Sequence, residues 1–338
     1  MVQLGEPKVV PRIVRILKIV WVKVPGRNIT LILLANSSRL SSPFSALGAG
    51  NVTGSPFAFL FLQMLADGEA FRANPIALDS FFVRQHYLDF LNREPDSAGL
   101  EFWVNNIAAC GTDETCRESK RINTSAAYFL STEFQETGYL VERLYKAAYG
   151  DGTNTSTFGG THQIPVPIIR YNEFLPDTQA LGENVIVGQD GWPTVLENNK
   201  QAFTTQFVQS PRFLAALPAT MSHAEFVDKL NMNTDRALSQ SERDQLVNDL
   251  TAGTKNRAQV LRAVAEDPDL NTAEFNRAFV LMQYFGYLRR NPNDFQDTDY
   301  TGYDFWLTKL NQFNGNFVNA EMVKAFLDSE EYQARFRQ

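Results

Sequence analysis

From about residue 80 onward, apolar side chains recur at helical spacing. Phe81, Phe82, Val83, Tyr87, Leu88, Phe90 and Leu91 mark a first helix. It stops at Arg93-Glu94-Pro95-Asp96, because proline disfavours helical geometry in the residue before it. Asp96 then stands where an N-cap is needed, ready to accept from free backbone N–H groups. Leu100, Trp103, Val104, Ile107 and Ala108, spaced i, i+3, i+4, i+7, i+8, predict a second helix. A loop at Cys110–Cys116 follows, with Asp113 and Glu114 suited to the positive end of the next helix dipole. That third helix carries Ile122, Ala126, Phe129, Leu130 and Phe134.

The same text returns near the C-terminus. Tyr87-Leu-Asp-Phe-Leu-Asn-Arg93-Glu-Pro95 corresponds to Tyr284-Phe-Gly-Tyr-Leu-Arg-Arg290-Asn-Pro292. Gly99-Leu-Glu-Phe-Trp103 corresponds to Gly302-Tyr-Asp-Phe-Trp306, and Ser131-Thr-Glu133-Phe134 to Ser329-Glu-Glu331-Tyr332. Three matched blocks in one order identify an internal repeat. Two weaker copies lie between, one from Tyr139 to Phe213 and one from Phe226 to Leu270. The first of these contains Gly150–Pro167, rich in Gly, Thr, Ser and Asn, which predicts a long irregular loop. The expected fold class is all-α: about four tandem helical units packed into one continuous body, with irregular loops and an atypical N-terminal extension. The boundaries expected are an extension or linker at 1–75 and units at 76–138, 139–215, 216–272 and 273–338.

The N-terminal residues follow a different pattern. Residues 1–40 hold seven basic side chains against Glu6 alone, in a chain whose net charge is −7. Residues 9–35, rich in Val, Ile and Leu with partial alternation, suit short strands, and the Ser-, Gly-, Asn- and Pro-rich stretch 36–56 suits a linker. The apolar runs Ile29–Ala35 and Phe57–Ala66 fall short of the roughly 20 residues that span a bilayer, so no membrane span is expected. Nor is there a clean signal peptide, because charges interrupt the apolar positions. An extension without fixed structure or a start inside an upstream module, an atypical export signal, and a small β element all remain open.

Composition removes several chemistries. The 44% hydrophobic content of 338 residues supports a sizeable core. Three histidines and two cysteines, scattered, do not make a zinc cluster. His86 falls on a helix among aromatics, His162 in the irregular loop and His223 near a helix start, which suits structural or solvated roles. No phosphate loop, dinucleotide fingerprint or HExxH pattern occurs. The negative net charge argues against general affinity for nucleic acid.

The pattern Tyr-x-x-x-Leu-x-Arg-x-Pro-Asp-x-x-Gly-x-x-Phe-Trp at 87–103, closed by Ser131-x-Glu-Phe134, resembles a bacterial domain-of-unknown-function family, number 4214. That family is itself similar to the linker domains of phycobilisomes. The likeness is strongest at 80–134 and 274–332. It implies an all-helical module found mostly in exported, envelope or surface-associated proteins, and it implies no activity.

The repeat also singles out residues. Arg93 and Glu133 recur as Arg290 and Glu331, whereas the second unit has Arg212 at the glutamate position and the third has Met232 at the arginine position. Arginine occurs only with its glutamate, which predicts salt bridges Arg93–Glu133 and Arg290–Glu331. Trp103 and Trp306, beside Phe102 and Phe305, are expected to pack in the core; exposed platforms for sugars are the alternative. Cys110 and Cys116 would form a local disulfide in an exported protein and stay reduced in a cytoplasmic one. Asp297, Asp299 and Thr301, with Gly302 sixth, match the opening of an EF-hand loop, but Thr308 stands at its twelfth position. A weak calcium site and an acidic turn capping the next helix are both consistent with that; no other cofactor is expected.

The leading expectation is a non-catalytic helical scaffold, extracellular or in the cell envelope, that serves adhesion or assembly through an unidentified protein or glycan partner at the cell surface. The alternatives are an accessory region of an exported enzyme or calcium-dependent assembly, and a carboxylate-dependent hydrolase.

Overall fold

Four joints along the chain are built alike. Ser131, Ser210, Asp267 and Ser329 each accept, through a side-chain oxygen, from the backbone N–H three residues on, at 3.2 Å in every case. The residue that donates is then held inward: Phe134, Phe213, Leu270 and Tyr332 are all buried. An N-cap of this kind satisfies a helix-end N–H that has no partner within the helix. Here it also aims an apolar side chain at the core.

The computed structural model describes residues 17–24, 27–34 and 74–337. Met1–Ala66 and Asp67–Gln338 are separate units. In the first, β1 (Leu17–Val24) and β2 (Arg27–Leu34) pair antiparallel, with Leu17 opposite Leu34 and Val24 opposite Arg27. These strands fall within the alternating stretch. The linker expected at 36–56 and the apolar run Phe57–Ala66 lie outside the described residues.

In the second unit the first copy comprises a 3-10 turn (Pro75–Ala77), α1 (Asp79–Phe90), α2 (Ser97–Ala108), α3 (Glu114–Leu130) and α4 (Thr132–Glu136). The second comprises α5 (Gly138–Tyr149), β3 (Asp151–Ser156), β4 (His162–Pro167), α6 (Tyr171–Gly182), α7 (Trp192–Phe207) and α8 (Pro211–Ala216). The third comprises α9 (His223–Asn233), α10 (Gln240–Ala252) and α11 (Arg257–Ala265). In the fourth, α12 (Pro268–Met282) widens into a π-helical stretch (Gln283–Leu288), followed by α13 (Thr301–Gln312), α14 (Met322–Asp328) and α15 (Glu330–Ala334). The fold is therefore mostly helical, with one correction. The stretch expected as an irregular loop is a hairpin, β3 running antiparallel to β4 from Asp151 opposite Pro167 to Ser156 opposite His162. Its tip is fixed by the fourth copy, which local sequence does not reveal.

Helix α5 lies at the centre, packed against α6, α9, α11 and α12. Tyr139, Leu140, Val141, Leu144 and Ala147 on it are wholly buried. The first and fourth copies meet through matched residues: Phe90 sets its edge against Tyr287, ring centroids 5.3 Å apart.

The repeated glycine has a steric cause. A Cβ on Gly99 would run into the Tyr87 hydroxyl, and one on Gly302 would come within 2.6 Å of the Tyr284 hydroxyl. Tyr87 cannot withdraw, held edge-on by Tyr128 at 5.1 Å and covered by the Arg93 guanidinium at 5.0 Å. Gly99→Ala is therefore expected to destabilise the protein by about 1–3 kcal/mol in urea unfolding, despite the better helix propensity of alanine. Adding Tyr87→Phe should recover part of that loss; no recovery would place the strain elsewhere.

Candidate functional site

The arginines of the two best-matched copies sit just beyond left-handed residues, Asn92 (φ 55°) and Arg289 (φ 58°), that end the preceding helices. Such a residue turns the chain sharply out of a helix. The turn sends Arg93 onto Glu133, Nε to Oε1 at 2.7 Å and Nη2 to Oε2 at 2.8 Å. Arg290 meets Glu331 the same way, at 2.6 and 3.0 Å. Both are bidentate and mostly shielded from water, so they hold more firmly than exposed pairs. The second copy lacks this clamp, and the arginine at its glutamate position is used differently. Arg212 lies over the Tyr149 ring at 4.2 Å and pairs with Glu173. In the third copy Met232 is exposed.

The aromatic positions need a correction. Trp103 and Trp306 are only half-buried, packed on Tyr128 and Phe326 at 6.0 and 5.8 Å. Phe102 is 60% exposed and Phe305 37% exposed. Neighbouring residues on a helix point about 100° apart, so a Phe-Trp pair cannot turn both rings inward. The Trp faces the core and the Phe faces out, each pair in an edge-to-face contact at 5.0 or 4.9 Å.

Cys110 and Cys116 form a disulfide with Cα atoms 5.6 Å apart, closing the loop between α2 and α3. The EF-hand-like residues do not converge on a common centre. Asp297 accepts from Arg290 Nη2 at 2.7 Å, Asp299 accepts from the Thr301 N–H at 2.9 Å, and Thr301 Oγ1 accepts from the Thr157 N–H at 2.8 Å. The calcium reading gives way to a turn that braces α13. Among the described residues, no group of three or more His, Cys, Asp or Glu is gathered as metal ligands.

Residues 69–137 match the family model described as Domain of unknown function (DUF4214). No curated protein and no solved structure matches the chain. The DUF4214 segment thus coincides with the first copy, from the approach to α1 through α4, and includes Arg93, Glu133, the Phe102–Trp103 pair and the disulfide.

Two buried constellations escape the sequence reading. Within the DUF4214 segment, His86 Nδ1 lies 2.7 Å from the Phe82 carbonyl, and Nε2 lies 2.6 Å from Ser125 Oγ. Ser125 Oγ in turn meets the Tyr287 hydroxyl of the fourth copy. In a neutral tautomer Nδ1–H donates to the carbonyl and Nε2 accepts from Ser125. Burial holds the imidazole down at about 3. A Ser–His contact is the geometry of an activated nucleophile. Here all three side chains are buried, and the contacts join the first copy to the fourth. In the fourth copy Gln283 stands at the position of His86 and donates to the Phe279 carbonyl at 2.9 Å.

The other constellation surrounds Lys146, whose ammonium lies 2.7 Å from Asp235, 2.9 Å from Asp151 and 3.5 Å from Glu274. Arg277 closes it, reaching Asp151 at 2.6 Å and Glu274 at 2.9 Å. Burial, with the Glu274 carboxylate nearby, pushes the Glu142 carboxyl well above the ordinary range. The available signal was Glu142, Arg143 and Lys146 within the otherwise apolar α5. Three surface clefts of 490, 540 and 440 Å³ open on the second unit. None of the three is lined by His86, Ser125, Glu142 or Glu274.

Proposed function

We propose that the chain is a non-catalytic, exported or surface-associated helical scaffold that works through protein or glycan contacts. The observation that carries this reading is where the two kinds of repeated side chain go. The Arg–Glu pairs are turned inward to brace the body, whereas the Phe beside each Trp is turned outward, Phe102 to solvent and Phe305 against the Phe158 ring. Aromatic rings held out on rigid helices are what binding surfaces favour. The Cys110–Cys116 disulfide suits an oxidising compartment. A carboxylate-dependent hydrolase would need two carboxyl groups about 5–10 Å apart in a cleft. The interacting pair Glu142 and Glu274 is buried, which favours the non-catalytic reading.

Fractionation of the source cells, with N-terminal sequencing and thiol titration of the denatured protein, tests the proposal. The expected result is protein in the envelope or the medium with no free thiol. Recovery from the cytoplasm with an intact Met1 and two free thiols overturns the exported reading.

A further inference from the structure

The two outward phenylalanines differ in what lies over them. Hairpin β3–β4 docks on the start of α13, where the Phe158 ring at its tip meets Phe305 edge-on at 5.4 Å. The Tyr300 N–H donates to the Thr155 carbonyl at 3.0 Å, and the Thr157 N–H donates to Thr301 Oγ1 at 2.8 Å. The Ser156 hydroxyl donates to Asp304 Oδ2 at 2.6 Å, with His162 Nε2 3.3 Å from the same oxygen. The receiving face is therefore four residues: 300, 301, 304 and 305.

The repeat places Ser97, Ala98, Glu101 and Phe102 at those positions in the first copy, and all four are exposed. Phe102 supplies the ring and Glu101 the carboxylate. Ser97 opens α2, where backbone N–H groups have no partner within the helix and can donate to a strand carbonyl. Only the Thr301 hydroxyl is lost, replaced by Ala98. We infer that the Ser97–Phe102 face of α2 is a docking site for a β-hairpin of a partner protein, one tipped by an aromatic ring with a hydroxyl or histidine beside it. This rests on the scaffold reading and names its surface and its class of partner. The occupant is argued from the way the chain covers the same surface in its fourth copy. A sugar stacked on Phe102 could also use the Glu101 carboxylate and the N–H groups, but it is a hairpin that the chain seats on the matched face of α13.

The probe is a peptide spanning residues 150–168, cyclised head to tail to hold the hairpin, labelled, and titrated with the full chain by fluorescence anisotropy. Saturable binding is expected, weakened at least about tenfold by Phe102→Ala or by Phe158→Ala in the peptide, and unchanged by Phe305→Ala. Glu101→Gln should weaken it further. Phe102 is 60% exposed, so its removal should leave thermal unfolding of the protein unaltered. Absence of saturable binding overturns the inference. So does binding that is lost with Phe305→Ala but kept with Phe102→Ala, which would report exchange at the fourth copy. A β-linked glucan oligosaccharide that binds through Phe102 while the peptide does not would assign the face to sugar stacking. In that case the scaffold reading stands without the hairpin, whereas failure of the fractionation test touches the scaffold reading alone.

Discussion

Arg335→Ala is expected to lower the free energy of unfolding by about 3–5 kcal/mol, the cost of leaving a buried charge without its partner. Arg335 grips Asp89 with two nitrogens, at 3.0 and 2.9 Å, across a sequence separation of 246. The same guanidinium donates to the Tyr287 and Gly286 carbonyls at 2.5 and 3.2 Å. Asp89 is buried; without Arg335 it keeps Gln85 at 2.9 Å and Arg289 at 3.6 Å, which do not replace a bidentate fork. Arg335→Lys should therefore recover only part of the loss. Urea unfolding of the full chain measures both variants, and a loss under about 1 kcal/mol for Arg335→Ala would mean that water reaches Asp89.

Acid should weaken this protein through His86. Its folded value is about 3, against about 6.5 for an unfolded histidine, so between those limits the unfolded chain binds the extra proton. The neutral imidazole thus costs nothing above pH 6.5, and stability falls as the pH drops below it. By pH 4.5 the loss from this one residue amounts to about 2–3 kcal/mol. His86→Gln introduces the side chain that already stands at the matched position, Gln283, and removes the titration. Between pH 7.5 and 4.5 the variant should lose about 2–3 kcal/mol less than the parent, while every other titrating group acts equally in both. Equal losses would mean that His86 becomes protonated in the folded state.

How much of this was legible in the sequence depended on distance along the chain. Asp96 and Asp113 act as N-caps through bonds to Gly99 and Cys116, three residues away, so periodicity and cap chemistry located those helices. The Arg–Glu clamps span about 40 residues and were legible only because the chain states them twice. Once-only contacts left no such mark. Ser125 is 39 residues from His86, and Tyr287 is 162 residues from Ser125. Hairpin β3–β4 reads as a loop because Thr157 finds its partner Thr301 144 residues later. The tryptophans show another limit: helical spacing tells which side chains share a face, and says nothing of how much chain later covers that face.

The grip of Arg335 on Asp89 also sets a clock for biosynthesis. At about 5–20 residues per second, roughly 12–50 s separate the emergence of Asp89 from the ribosome and that of Arg335. Phe90 gains Tyr287 and Asp89 gains Arg289 before the end of that interval, but the bidentate partner of the Asp89 carboxylate comes only with Arg335. The arrival of Arg335 is then the step that closes the first copy onto the fourth.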